Sequence, residues 1–292
     1  MLLVLAGLGA WFEPTCVVRG KVRGEAFFAN RPTTYWQRKL ESESPIDQDE
    51  APRRLKEGKA AAVPLLIELT RSDSANVRAQ ALSILARLKE DAHPATDALL
   101  ALLADSDTYV RQTAARVLGE IHPDDPRVVP ALIEKLNGDE KATAIRPLGE
   151  YGASAKAAVP RLIELLENDP DPNLRWDAAR TLGKIGPDAH AAIPALIKAL
   201  KSDNGALREH AAEALGDIHA TVAVPDLIAA LDDADTRVRR DAIRSLGQFG
   251  PVAKPAFEKI EKFRDDEDLF VRQAVAIALR RIDPSRVSKK DE

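Results

Sequence analysis

The sequence predicts an all-α solenoid of about seven helical hairpins behind a degenerate N-terminal cap, and three observations carry that prediction. First, one unit recurs, written VPxLIxxL, then an Asp-containing turn, then VRxxAAxxLGxI. Copies begin at Val63, Thr96, Val129, Val159, Ile193, Val224 and Lys254, spaced 33, 33, 30, 34, 31 and 30 residues apart. A fixed period in the range of about 20–50 residues marks units that bury their apolar faces only on their neighbours. Second, the copies are punctuated as two helices, most of them with proline near the start and glycine near the end. Third, 45% of the 292 residues are hydrophobic but only 4% aromatic, a balance suited to closely packed helices rather than strands.

Each half of the unit has a physical reading. Pro64, Pro130, Pro160, Pro194, Pro225 and Pro255, with Asp97 in the second copy, fit a first helical turn, where the missing N–H has no partner to lose. Apolar residues follow at helical spacing, as in Leu65, Leu66 and Leu69 or Leu196, Ile197 and Leu200. The turns hold Asp73, Asp105, Asp107, Asp139, Asp169, Asp203, Asp233 and Asp266, a residue type suited to N-caps and turns. Second helices are expected to begin at Val77-Arg78, Val110-Arg111, Leu174-Arg175, Leu207-Arg208, Val238-Arg239 and Val271-Arg272. They are expected to end near Gly119, Gly149, Gly183, Gly216 or Gly247. Ala81, Ala114, Ala178, Ala211 and Ala242 leave room for neighbouring helices to approach.

Over roughly residues 60–284 this pattern resembles HEAT repeats, in the short bacterial form called PBS-lyase HEAT-like. The resemblance implies hydrogen-bond ladders between turn aspartates and second-helix arginines. It assigns them to Asp73, Asp107, Asp203 and Asp235, and to Arg78, Arg111, Arg175, Arg208, Arg239 and Arg272. The third copy departs from the pattern. It is shorter, Lys141 stands where the arginine belongs, and Pro147 falls inside the second helix. A mid-helix proline costs about 3 kcal/mol and kinks the helix, so a break in solenoid curvature is expected near residues 138–150.

The expected organisation is an apolar segment at 1–12, a linker at 13–32, a capping repeat at 33–59, the solenoid at 60–284 and a polar tail at 285–292. Residues 1–12, MLLVLAGLGAWF, carry no charge. They are too short for a spanning helix of roughly 20 residues and fit a signal core of roughly 7–15, but no basic residue precedes them. A membrane anchor, a signal peptide and a buried or disordered terminus all stay open, with an anchored or exported chain expected over a purely cytoplasmic one. RPTTYW, at residues 31–36, also resembles the lead-in of some membrane-anchored bacterial HEAT proteins. Thr34 and Gln37 match a capping box ahead of Leu40.

Net charge is −4, from 42 basic and 46 acidic residues. That balance disfavours a duplex binder, which needs a concentrated basic footprint. The single cysteine, Cys16, excludes intramolecular disulfides and cysteine-based zinc sites.

The family resemblance implies partner binding on the face lined by second helices. Positions two and six residues after Val77 and its equivalents are expected to point away from the core. They are Ala79, Gln112, Trp176, Glu209, Arg240 and Gln273, then Ser83, Arg116, Arg180, Glu213, Arg244 and Ile277. Trp176 is either an exposed anchor for a partner or an aromatic lying flat on a neighbouring repeat. Arg116, Arg180 and Arg244 form either an anion-attracting stripe or a salt-bridged face, since Asp177, Glu213 and Asp241 lie close. The candidate partner-binding residues are thus Trp176, Arg116, Arg180, Arg244, Arg240 and Glu213.

Relatives of this fold include bilin lyases and a di-iron hydroxylase with His-Glu ligand pairs. None of His93, His122, His190, His210 or His219 is followed by Glu, and only His210, near Glu209 and Glu213, is expected within a second helix. No GxxxxGK or GxSxG motif occurs. The reading is a non-enzymatic protein-binding scaffold without cofactor or metal, with a membrane approached only through residues 1–12. A lyase- or hydroxylase-type enzyme or accessory protein is the alternative.

Overall fold

The computed structural model describes residues 14–122, 124–138 and 140–286. They fall into two compact units, residues up to Val128 and residues from Val129. Residues 1–12, and with them the anchor or signal expectation, lie outside the described residues, as does Asp139.

In the first unit, the expected linker is structured. Helix α1 (Pro14–Arg23) is followed by an antiparallel ribbon of β1 (Phe27–Phe28) and β2 (Arg31–Pro32). Gly24 takes φ +68, while Ala29 and Asn30 turn the ribbon at φ 48 and 58, the paired positive angles of a two-residue type I′ connection. Gly20 lets α1 lie against the ribbon: a Cβ there would stand 2.5 Å from Cβ of Pro32. Trp36 fixes the other side, its ring 5.6 Å from that of Phe28 and its Nε1–H donating to Phe28 O at 3.2 Å.

Helix α2 (Thr33–Glu41) corrects the capping-box expectation. It starts one residue before Thr34, with Pro32 at the N-cap and no side-chain cap. Its first N–H groups are satisfied from the preceding segment instead: Thr33 N donates to Ala26 O at 3.0 Å and Thr34 N to Glu25 Oε2 at 2.9 Å. The Glu68 carboxylate ties this cap to the first repeat by accepting from Ala26 N at 2.5 Å and the Thr33 hydroxyl at 2.6 Å. Helix α3 (Pro45–Glu57) completes the cap. The hairpins α4 (Val63–Leu69) with α5 (Ala75–Leu88) and α6 (Thr96–Leu102) with α7 (Thr108–Ile121) follow. Leu55, Leu65, Leu66, Leu69, Leu82, Leu85, Leu99 and Leu118 fill the core of this unit, each worth roughly 1.5–3 kcal/mol of apolar burial.

The second unit holds five hairpins among the described residues, counting α8 from its start at the boundary. They are α8 (Val128–Lys135) with α9 (Lys141–Glu150), α10 (Val159–Asn168) with α11 (Pro172–Ile185), α12 (Ile193–Ala199) with α13 (Gly205–Asp217), α14 (Val224–Ala230) with α15 (Thr236–Phe249), and α16 (Phe257–Glu261) with α17 (Leu269–Ile282). Second helices pack in succession, α9 on α11, α11 on α13, α13 on α15 and α15 on α17. Helix α9 runs through Pro147, which is buried within it, so the third copy is a shortened hairpin with an unbroken second helix. Pro255 also departs from expectation: it closes a 3₁₀ turn, Gly250–Ala256, and α16 begins after it.

As expected, the second helices end within two residues of Gly119, Gly149, Gly183, Gly216 and Gly247. Gly183, Gly216 and Gly247 lie inside α11, α13 and α15, where they admit the next second helix. A Cβ on Gly183 would meet Ala214 Cα at 2.9 Å, and one on Gly247 would meet Ala278 Cα at 2.8 Å. Two buried hydroxyls stitch neighbouring second helices, Thr181 of α11 to Ile145 O of α9 at 3.1 Å and Ser245 of α15 to Ala212 O of α13 at 2.8 Å. At the C-terminal end, Arg286 pairs with Glu258 and lies 4.1 Å over the Phe257 ring, so the start of the expected polar tail is held in place.

Candidate functional site: the second-helix face and the turns that set it

The turns position the second helices by a repeated device. In six of the second-helix turns the residue two before the N-cap accepts the N-cap's own N–H. Ser72 serves Ser74, Asp105 serves Asp107, Asp169 serves Asp171, Ser202 serves Asn204, Asp233 serves Asp235 and Asp266 serves Asp268, at 2.8–3.2 Å. The N-cap side chain then accepts an N–H from the first helical turn, as Asp107 does from Val110 N at 3.0 Å, which satisfies a donor left over at the helix end.

Where the earlier position is aspartate, its carboxylate also reaches a cation from the preceding repeat. Arg78 donates to Asp105 at 2.7 Å, Lys141 to Asp169 at 2.5 Å, and Arg208 to Asp233 through two nitrogens at 2.7 and 2.9 Å. Arg239 stands 3.8 Å from Asp266. The ladder is therefore real, but its acceptors are Asp105, Asp169, Asp233 and Asp266. Asp107 and Asp235 cap their own helices, and Asp73 and Asp203 are exposed. Arg175 hydrogen-bonds Leu166 O instead, because the next turn offers Ser202 where a carboxylate would be needed. Lys141 fills the irregular copy's rung without an arginine. The Arg208 guanidinium, outweighing the opposing effect of burial, holds the Asp233 carboxyl below its ordinary range.

On the face itself, Gln112, Gln273, Arg116, Arg180, Arg244 and Ile277 are exposed, while Trp176, Glu209, Arg240, Ser83 and Glu213 are half-buried. Ala79 is a correction: it is buried, because α2 and α3 pack against α5 and Gln80 Nε2 donates to Leu40 O at 3.0 Å across that contact. In the first unit, Arg116 pairs with Glu120 of its own helix.

The other candidates belong to the second unit. Trp176 lies flat between repeats, stacked on His210 with ring centroids 5.0 Å apart and covered by the Arg146 guanidinium 5.3 Å away. Arg146 also donates to Asp177 at 2.8 Å, and Asn173 Oδ1 accepts from Trp176 Nε1 at 3.3 Å. His210 lies 3.3 Å from Glu213, a contact that lowers the Glu213 carboxyl below its ordinary range, with help from Arg244 and Arg180. Arg240 bonds Asp241 at 2.8 Å and Glu209 at 3.4 Å, and Arg244 reaches the same Asp241 at 3.2 Å. Glu209 is engaged by Arg237 and Arg240, so it does not join His210 and Glu213 in a donor set. Among the described residues no group of three His, Cys, Asp or Glu is placed to hold a metal ion, and no helix is long and apolar enough to cross a membrane.

The sequence reading missed Arg146 and Phe270. The irregular start of the third copy concealed the register of Arg146. Phe270 stands one residue before the valine used to count positions.

No curated protein matches the chain. Among solved structures, Escherichia coli YibA is similar at 22% identity and TM-score 0.58, over 85% of this chain and 92% of that one. Importin beta is similar at 15% identity and TM-score 0.55, over 86% of this chain and 38% of its own. Human deoxyhypusine hydroxylase aligns at 22% identity over 86% of this chain and 95% of that chain, with TM-score 0.36. The first two likenesses match the all-α solenoid built from the turns above. The model of HEAT repeats matches residues 62–142, 135–216 and 193–280, most of the chain, and the protein belongs to the HEAT-repeat family.

Proposed function

We propose that the chain is a non-enzymatic scaffold that binds a protein partner on the second-helix face of its C-terminal unit. The observation that carries the reading is the layer Arg146–Trp176–His210, continued by Arg180, Glu213, Arg240 and Arg244. This layer presents a flat aromatic and several cations outside the core. A rigid aromatic fixed by its neighbours offers contact area at low ordering cost, and tryptophan and arginine dominate binding hot spots. The HEAT architecture supports the scaffold class, since stacked hairpins build an extended surface from side chains that the core does not use.

Affinity capture from the native cell, with wild type and Trp176→Ala compared, tests this reading. Partners retained by wild type and lost from the variant support it, and equal recovery removes Trp176 from the site. Metal content and visible absorption of the purified protein test the non-enzymatic part: stoichiometric iron or a bound bilin would overturn it. A membrane tether through residues 1–12 is a further part of the proposal, checked by whether the full chain sediments with membranes and a chain lacking them does not.

A further inference from the structure

The most distinctive surface beyond Trp176 lies between α15 and α17, and it shares Arg240 and Arg244 with the layer proposed above. A groove of about 460 Å³ runs there, lined by Arg240 and Arg244 on one wall and Phe270, Ile277 and Arg281 on the other. Its floor is closed by the approach of Gly247 to Ala278. On α17, Phe270, Gln273, Ile277 and Arg281 share one helix face at intervals of three or four residues. Phe270 is 62% and Ile277 54% exposed. The residue equivalent to Ile277 is Ser83, Arg116, Arg180, Glu213 or Arg244 in earlier copies, so an apolar side chain here breaks the pattern of the array.

The charge is also one-sided. No carboxylate lines the groove. Arg240 and Arg244 share the buried Asp241, Arg240 also reaches Glu209 at 3.4 Å, and Arg281 forms no ion pair among the described residues. A local excess of guanidinium beside exposed apolar groups, in a chain of net charge −4, is complementary to an acidic segment carrying apolar anchors.

We propose that this groove docks an acidic amphipathic helix of a partner protein, whose apolar side chains, one or two turns apart, cover Phe270 and Ile277 while its carboxylates meet Arg240, Arg244 and Arg281. The proposal rests on the scaffold reading and adds the chemistry of the partner.

The test is a display selection on the full chain with random peptides of about 15 residues, long enough for several helical turns, followed by anisotropy titration of the recovered peptides. The expected sequences are rich in Asp and Glu around apolar residues at helical spacing. Phe270→Ser with Ile277→Ser should weaken their binding at least about tenfold. Arg244→Gln with Arg281→Gln should weaken it and flatten its salt dependence. These side chains are exposed, so circular dichroism should be unchanged and a binding loss is not a folding loss.

Recovered peptides without acidic enrichment, or equal affinity for the double serine variant, would overturn the proposal. So would sedimentation showing a wild-type dimer that the serine variant abolishes, which would give the face to a second copy. Native partners lost with Trp176→Ala but kept by the serine variant would sink the groove and leave the scaffold reading standing.

Discussion

Arg208→Ala is the sharpest test of how the turns hold the array together. Arg208 gives two hydrogen bonds to Asp233, at 2.7 and 2.9 Å, and a third to Ser202 O at 2.8 Å. The side chains of the pair are 18% and 11% exposed. A fully buried pair broken from one side costs about 3–5 kcal/mol, and an exposed pair contributes about 0–1 kcal/mol. Residual solvent access places this rung between them, nearer the buried limit, at about 2–3 kcal/mol. With a urea slope of about 2–3 kcal/mol/M, the midpoint followed by circular dichroism should fall by about 1 M. Arg237→Ala, whose partners are Asp235 and Glu209 and whose side chain is 55% exposed, should cost under about 1 kcal/mol.

The pH dependence has a defined sign. The Asp233 carboxyl is depressed, mainly by Arg208. Its contribution is therefore complete above the unfolded carboxyl value of about 3.9 and is lost as pH falls through the lower folded value. The gap between wild type and Arg208→Ala should be full at pH 5–7 and should shrink below about pH 4. A gap under about 0.5 kcal/mol at neutral pH, or one that widens in acid, would show that the Arg208–Asp233 rung does not hold the neighbouring hairpins together.

Other outcomes follow from the same geometry. Ser202→Asp should supply Arg175 with its missing carboxylate and raise stability by about 0.5–1.5 kcal/mol, read as an increased urea midpoint; a decrease would show that the rung does not transfer. Gly247→Ala places a methyl 2.8 Å from Ala278 Cα and should lower the melting temperature, since overpacking of about 1–3 kcal/mol exceeds the helix-propensity gain of about 1 kcal/mol. Lys141→Ala, which removes one hydrogen bond to Asp169 where Arg208 makes two, should destabilise less than Arg208→Ala under the same denaturation. Trp36→Phe removes the donor to Phe28 O and should loosen the N-terminal ribbon, seen as faster amide exchange around Phe28 with the repeats unaffected.

The array itself was legible because period, proline and small residues all report one repeated packing problem. The ladder was misplaced by two residues for a definable reason. In Asp105-Ser106-Asp107 and Asp233-Ala234-Asp235, both aspartates suit a turn, and only backbone geometry tells the cap from the acceptor of the neighbouring cation. The glycines marked where the second helices end, but not that Gly183 and Gly247 also admit the next helix, which depends on interhelical distance rather than on spacing. The N-terminal ribbon was invisible because its turn uses Ala29-Asn30 at positive φ, without the glycine that normally announces it. Trp176 was singled out by type, but Arg146 and His210, which hold it flat, come from other repeats that spacing alone does not bring together.

The rungs join residues 25–28 positions apart, donor from one hairpin and acceptor from the next turn. The hairpin of α14 and α15 carries both the socket for its predecessor, Asp233, and the plug for its successor, Arg239. An in-frame duplication or deletion of one such segment recreates a compatible junction at the splice, so chains of this design can lengthen or shorten by whole hairpins without inventing a new interface.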